Sequence, residues 1–89
     1  MKIGNERFTI YEVEDIYKTI VLEIDGAQEL EIDFQGVQKM DTAAIQLLLS
    51  TQKTCQKDNK KLKLTNISPE LQRTISQIGC ISLLGEAHE

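Results

Sequence analysis

Two short segments alternate apolar and polar positions: Leu30-Glu31-Ile32-Asp33-Phe34 and Lys61-Leu62-Lys63-Leu64-Thr65. A period of two puts one side of each segment on a core, so both predict strands. Phe8-Thr9-Ile10-Tyr11 is aromatic and β-branched and predicts a third. Lys2-Ile3, set off by Gly4-Asn5, is hardly long enough to make another. Between these segments the period changes. Val13, Ile16, Tyr17, Ile20, Val21 and Ile24 form one apolar stripe at helical spacing. Glu12, Glu14 and Asp15 suit the positive end of that helix, and Gly26 stands where a C-terminal cap is expected.

After the loop opened by Gly36, Asp41 is a good N-cap for a second helix. Ala44, Ile45, Leu48, Leu49, Gln52 and Cys55 share one face of it, and it should fray near Lys57-Asp58-Asn59. Ser68-Pro69-Glu70-Leu71 starts a third helix: serine caps, proline takes the first helical position and glutamate follows. Leu71, Ile75 and Ile78 make its stripe and Gly79 ends it. Ile81 to Leu84 is expected to add a short last strand, and Gly85 to Glu89 a loose tail. Strand, helix, strand, helix, strand, helix is the order of an α/β layer, with helices covering a mostly parallel sheet. The loops at the strand C-terminal ends gather on one edge, the usual place for function in such sheets. Gln35 to Met40 lies there.

Composition narrows what such a layer can do. Eighty-nine residues fit one domain, spanning 1–89, without spare volume for a deep catalytic cavity. The apolar share of 40% and charged share of 27% are those of a folded chain. The longest apolar run, Leu47-Leu48-Leu49, is far short of a membrane span, and the N-terminus lacks the apolar stretch of a signal peptide. The expected address is the cytoplasm, with no membrane insertion.

Charge is uneven: residues 1–36 carry nine acidic and three basic side chains, residues 37–89 five acidic and seven basic. Lys53, Lys57, Lys60, Lys61 and Lys63 suit a solvated helix end and strand entry. An acidic chain with two Tyr, two Phe and no Trp is a poor nucleic-acid binder. Cys55 and Cys80 form no CxxC pair, and the one histidine, His88, is in the tail, so neither a metal nor another cofactor is expected. There is no GxxxxGK[ST] loop and no Ser-His or Cys-His pair. Asp33 and Asp41 flank a loop but lack the pocket and substrate that acid–base chemistry needs. The chain is therefore expected not to be an enzyme.

The segment Met40-Asp41-Thr42-Ala43-Ala44-Ile45, after the strand 30–34 and the loop Gln35-Gly36-Val37-Gln38-Lys39, resembles the STAS family of sulphate transporters and anti-sigma factor antagonists. Gln46-Leu47-Leu48-Leu49, Ile67-Ser68-Pro69-Glu70-Leu71 and Ile78-Gly79 fit the same pattern, over a core of about residues 7–84. Two departures stand out. The N-terminal strand is shortened, and Ala44 replaces the usual glycine, where a methyl group is expected to hinder the approach of a kinase.

The resemblance implies a non-catalytic protein-binding regulator in bacterial signal transduction, of the anti-sigma factor antagonist type. Thr42 would then be a phosphorylation site that switches partners, among them a serine/threonine kinase-like ATPase. Its partner-binding residues would be Gln38, Lys39, Met40, Asp41, Thr42, Ala43 and Gln46, with Met40 an exposed apolar anchor. Residues 41–49 are also similar to the STAS subunit of the bacterial phospholipid-trafficking ABC transporter, which binds the transporter's ATPase. Without the family, Thr42 reads as a plain helix-start residue with its hydroxyl bonded to backbone.

Overall fold

A computed structural model of the 89-residue chain describes residues 1–79. The elements run β1 (Arg7–Phe8), α1 (Val13–Ile24), β2 (Glu29–Asp33), β3 (Lys39–Met40), α2 (Thr42–Lys57), β4 (Lys61–Thr65) and α3 (Pro69–Gln77). The alternating segments pair as expected. β2 and β4 run parallel, with Leu30 opposite Leu62 and Ile32 opposite Leu64. All four are buried, while Glu29 and Glu31 face Lys61 and Lys63 across the other side, a register that sets unlike charges opposite one another. Parallel partners need a long crossover, and α2 supplies it. β1 and β3 make a second parallel pair, two residues each, and Lys2 adds a parallel bridge to Asp33. The shortened N-terminal strand is thus reduced to that bridge, with Ile3 buried beside it.

The helices follow from their apolar faces. α2 buries Ala44, Ile45, Leu48 and Cys55 and packs on β4 and α1. α1 lies on β2 through Ile16 and Ile20. α3 meets β3 and buries Leu71 and Ile75, its start fixed by Ser68 Oγ accepting the Leu71 amide at 3.2 Å. Phe8 and Phe34 join the two strand pairs, ring centroids 6.3 Å apart and tilted by 42°. Lys60 ties α1 to the start of β4, its Nζ donating to the Ile24 carbonyl at 2.6 Å.

Three expectations are corrected. Only Phe8 of Phe8-Thr9-Ile10-Tyr11 is in a strand. Thr9 starts a turn, and its carbonyl accepts the amides of Glu12 and Val13. Tyr17 and Val21 belong to the α1 stripe by spacing but are exposed, because the sheet and α2 cover only the Ile16–Ile20 side. Ile78 is exposed and sits at the C-cap of α3, past its last buried turn. The expected strand Ile81–Leu84, the tail, Cys80 and His88 lie outside the described residues.

Burial on α2 gives a direct test. Ile45→Asp and Leu48→Asp each place an unpaired charge in the core and should abolish the cooperative thermal transition followed by circular dichroism, a loss of about 4 kcal/mol or more. Gln46→Asp, on the exposed side, should melt within a few degrees of wild type.

Candidate functional site

The N-terminal end of α2 brings together two segments far apart in sequence. Asp41 has extended backbone, and its carboxylate does two things. Oδ1 accepts the Ala44 amide at 3.0 Å, the N-cap bond expected from sequence. Oδ2 accepts the Ile10 amide at 2.9 Å, across 31 positions of chain. One side chain therefore caps α2 and holds the turn that leads into α1.

That turn is also braced from within. Glu12 Oε1 accepts both the Thr9 amide at 2.9 Å and the Thr9 hydroxyl at 2.7 Å. These two bonds to Thr9, hydroxyl first, hold the Glu12 carboxyl below its ordinary value. Thr9 is buried, yet every polar atom of it is used. The two residues at the tip, Ile10 and Tyr11, are 63% and 82% exposed. The loop before α2 is fixed in a similar way, the amides of Gln38 and Lys39 both donating to the Glu6 carbonyl at 2.7 and 3.1 Å.

At the far end of the neighbouring strand pair, Asp33 Oδ1 accepts the Asn66 side-chain amide at 2.9 Å and the Gln35 backbone amide at 2.8 Å. Both bonds, Asn66 first, lower the Asp33 carboxyl.

Of the residues expected at a partner surface, Gln38, Lys39, Thr42 and Gln46 are exposed. Thr42 and Gln46 are one turn apart and share a helix face. Asp41 and Ala43 are half-buried. Met40 is corrected: it is 7% exposed and belongs to the core, because β3 pairs with β1 and turns it inward, so it cannot serve as an exposed anchor. The Thr42 hydroxyl makes no hydrogen bond to any described residue, where the plain reading had it bonded to backbone. The Ala44 methyl is fully buried, so it stands on the opposite side from anything approaching Thr42. Ile10 and Tyr11 were missed by the sequence reading. Their signal was the Thr9-x-x-Glu12 spacing, which marks a helix entry in which the glutamate reaches back to the threonine amide.

A family model described as "Mlab, STAS domain" matches residues 5–85. Among solved structures, the crystal structure of a sulfate transporter family protein from Wolinella succinogenes matches with a TM-score of 0.71 at 23% identity, over 90% of this chain and 70% of that one. Likeness at that identity is likeness of fold. No curated protein matches the chain.

Two measurements test the site's construction. Asparagine still offers one acceptor for the cap but none for a second amide. Asp41→Asn should therefore keep α2 capped while amide exchange at Ile10 accelerates, whereas Asp41→Ala should lose both bonds and about 0.5–2 kcal/mol for the cap. The lowered carboxyls set an acid limb. A carboxyl lowered on folding contributes stability that is present above its unfolded value, 4.5 for Glu12 and 3.8 for Asp33, and lost as pH falls through the folded value. The Glu12→Gln, Asp33→Asn double variant should be less stable near neutrality and should lose less Tm than wild type between about pH 7 and about pH 3.

Proposed function

The chain belongs to the STAS domain family, and from that premise we propose that it is a non-catalytic, protein-binding regulator whose partner docks on the N-terminal end of α2 and is switched by phosphorylation of Thr42. A general regulatory or accessory role comes with the family. The observation that carries the finer reading is the Thr42 hydroxyl: exposed, free of hydrogen bonds to described residues, and on the first residue of a capped helix. A phosphate there adds about −1.5 to −2 charges at a helix end that tolerates negative charge. A partner surface placed against Ile10, Tyr11 and Gln46 does not tolerate it. The domain stays folded while the partner leaves. Gln38, Lys39 and Asp41 complete the surface, with Ala43 beside them. The partner in this reading is an anti-sigma factor or a related serine/threonine kinase-like ATPase in the cytoplasm. No described helix is long and apolar enough to cross a membrane.

A second reading has an observation of its own. The matching family model is the one described as "Mlab, STAS domain", and residues 41–49 resemble the STAS subunit of the bacterial phospholipid-trafficking ABC transporter. The same surface would then bind the transporter's ATPase, with the Thr42 hydroxyl as a direct contact and no phosphate involved.

The two readings give opposite signs for one substitution. Under the switch, Thr42→Ala should bind its partner constitutively and resist phosphorylation, and Thr42→Glu should fold but release the partner. Under direct contact, Thr42→Ala should bind about tenfold more weakly, the scale of one hydrogen bond lost at an interface. Pull-downs of wild type, Thr42→Ala and Thr42→Glu from the native cell, read by mass spectrometry, decide between them. Equal recovery by all three would remove Thr42 from both. Clean protein incubated with ATP alone should show neither hydrolysis nor self-phosphorylation, and stoichiometric self-phosphorylation would overturn the non-catalytic reading.

A further inference from the structure

The turn between β1 and α1 is braced more fully than folding requires. Each backbone amide from Thr9 to Val13 has an acceptor within the molecule. Thr9 gives its own amide to Glu12 Oε1, and its carbonyl takes the amides of Glu12 and Val13. Its hydroxyl takes the Tyr11 amide at 3.4 Å, and the Asp41 carboxylate takes that of Ile10. Ile10 and Tyr11 nevertheless stand in water, where an amide finds solvent partners. Burial does not account for fixing these two residues.

Glu12 is the root of this network. A hydroxyl has one proton to give. Glu12 Oε1 takes that of Thr9 at 2.7 Å, which leaves only lone pairs for the Tyr11 amide. The same oxygen holds the Thr9 backbone amide at 2.9 Å. The Glu12 side chain caps no amide of α1, so both of its bonds go to the turn.

Resting on the reading in which a partner docks beside Thr42, we propose that Tyr11 is the anchor of that interface and Glu12 its positioning residue. Glu12, acting through Thr9, holds the Ile10–Tyr11 tip in the pose the partner meets, and the tip's occupant is an apolar pocket of that partner protein. Apparent affinity falls with the fraction of time a binding-competent pose is populated. A tip in pose about a tenth of the time binds about tenfold more weakly, and the loss is seen in association.

The first measurement needs no partner. Nitrogen-15 relaxation on the whole chain should give Ile10 and Tyr11 order parameters of about 0.85, and Glu12→Ala should drop them below about 0.6. Glu12→Gln keeps an acceptor oxygen and should restore them. Should Glu12→Ala fail to fold, Thr9→Val takes its place: it removes the hydroxyl and should loosen Tyr11 while the Thr9 amide stays bonded to Glu12.

The second measurement takes the partner that wild type recovers in the pull-downs above. Glu12→Ala should slow association about tenfold and leave dissociation unchanged, and Glu12→Gln should reverse the loss. Tyr11→Ala removes the contact itself and should speed dissociation about tenfold or more. A merely structural Glu12 would lower Tm and leave the association rate of folded molecules as it is.

A tip as rigid in Glu12→Ala as in wild type, or an unchanged association rate, overturns the proposal and leaves the docking reading standing. Tyr11→Ala that binds like wild type does the same. Recovery of no partner by wild type overturns the docking reading, and the proposal with it.

Discussion

The Asp41 carboxylate meets two backbone amides, one three positions along the chain and one 31 positions back, and much of the molecule is referred to that one group. Without Oδ1 on Ala44 the first turn of α2 has an unmatched donor just where Ala44 and Ile45 enter the core. Without Oδ2 on Ile10 the turn before α1 is held only by its own Thr9–Glu12 bonds. α1 and α2 are packed against each other and against the β2–β4 pair, so fixing the entries to both helices with one group fixes the angle at which they cover it. A small chain gains from such economy: with limited surface to bury, it cannot rely on apolar area alone to choose one arrangement of its helices.

The same group explains how a surface arises. Ile10 and Tyr11 are large, apolar and exposed, which is costly for a flexible loop but not for a braced turn. Thr9 spends its amide, hydroxyl and carbonyl inside the turn, and Asp41 takes the amide of Ile10, so the tip has little left to lose on binding. A tyrosine held on a braced turn is the kind of rigid, amphipathic side chain that interfaces favour. Folding and display are in this sense one constraint: the bonds that set the helix entries also set the geometry that a partner docking here would meet.

The parts of this that were legible in the sequence are those with a strict local cause. The alternation at 30–34 and 61–65 could be satisfied only by a sheet with one buried face. Asp41 and Ser68-Pro69 are caps whose chemistry acts within four residues. Thr42 could be placed because it follows such a cap. What failed had causes outside the window. Phe8 to Tyr11 looks like a strand by composition, but β1 ends when β3 ends, after two residues, and a carboxylate 31 positions away closes the turn. Met40 was taken for an exposed anchor because a two-residue strand leaves no alternation to read, and only its pairing with Phe8 shows it turned inward. The α1 stripe was found correctly as a pattern. How much of it is covered depends on the width of a neighbour, and two narrow parallel pairs leave Tyr17 and Val21 outside.

A charge added at Thr42 would meet two opposing fields. The N-terminus of α2 favours it by about 0.3–1 kcal/mol. The Asp41 carboxylate next to it opposes it by about 1 kcal/mol per unit charge at close range in water-like surroundings. For the −1.5 to −2 charges of a phosphate the repulsion exceeds the attraction by about 1 kcal/mol, and no acidic residue in the first turn of α2 adds to it. The buried side of the helix is unaffected, since Ala44 and Ile45 point away from Thr42 into the core. The net cost to the fold is therefore small, while an incoming apolar surface has no helix dipole to offset the desolvation of a phosphate, a penalty of several kcal/mol. The asymmetry between those two costs, rather than any conformational change, is what would let a modification at this position release a partner and leave the domain standing.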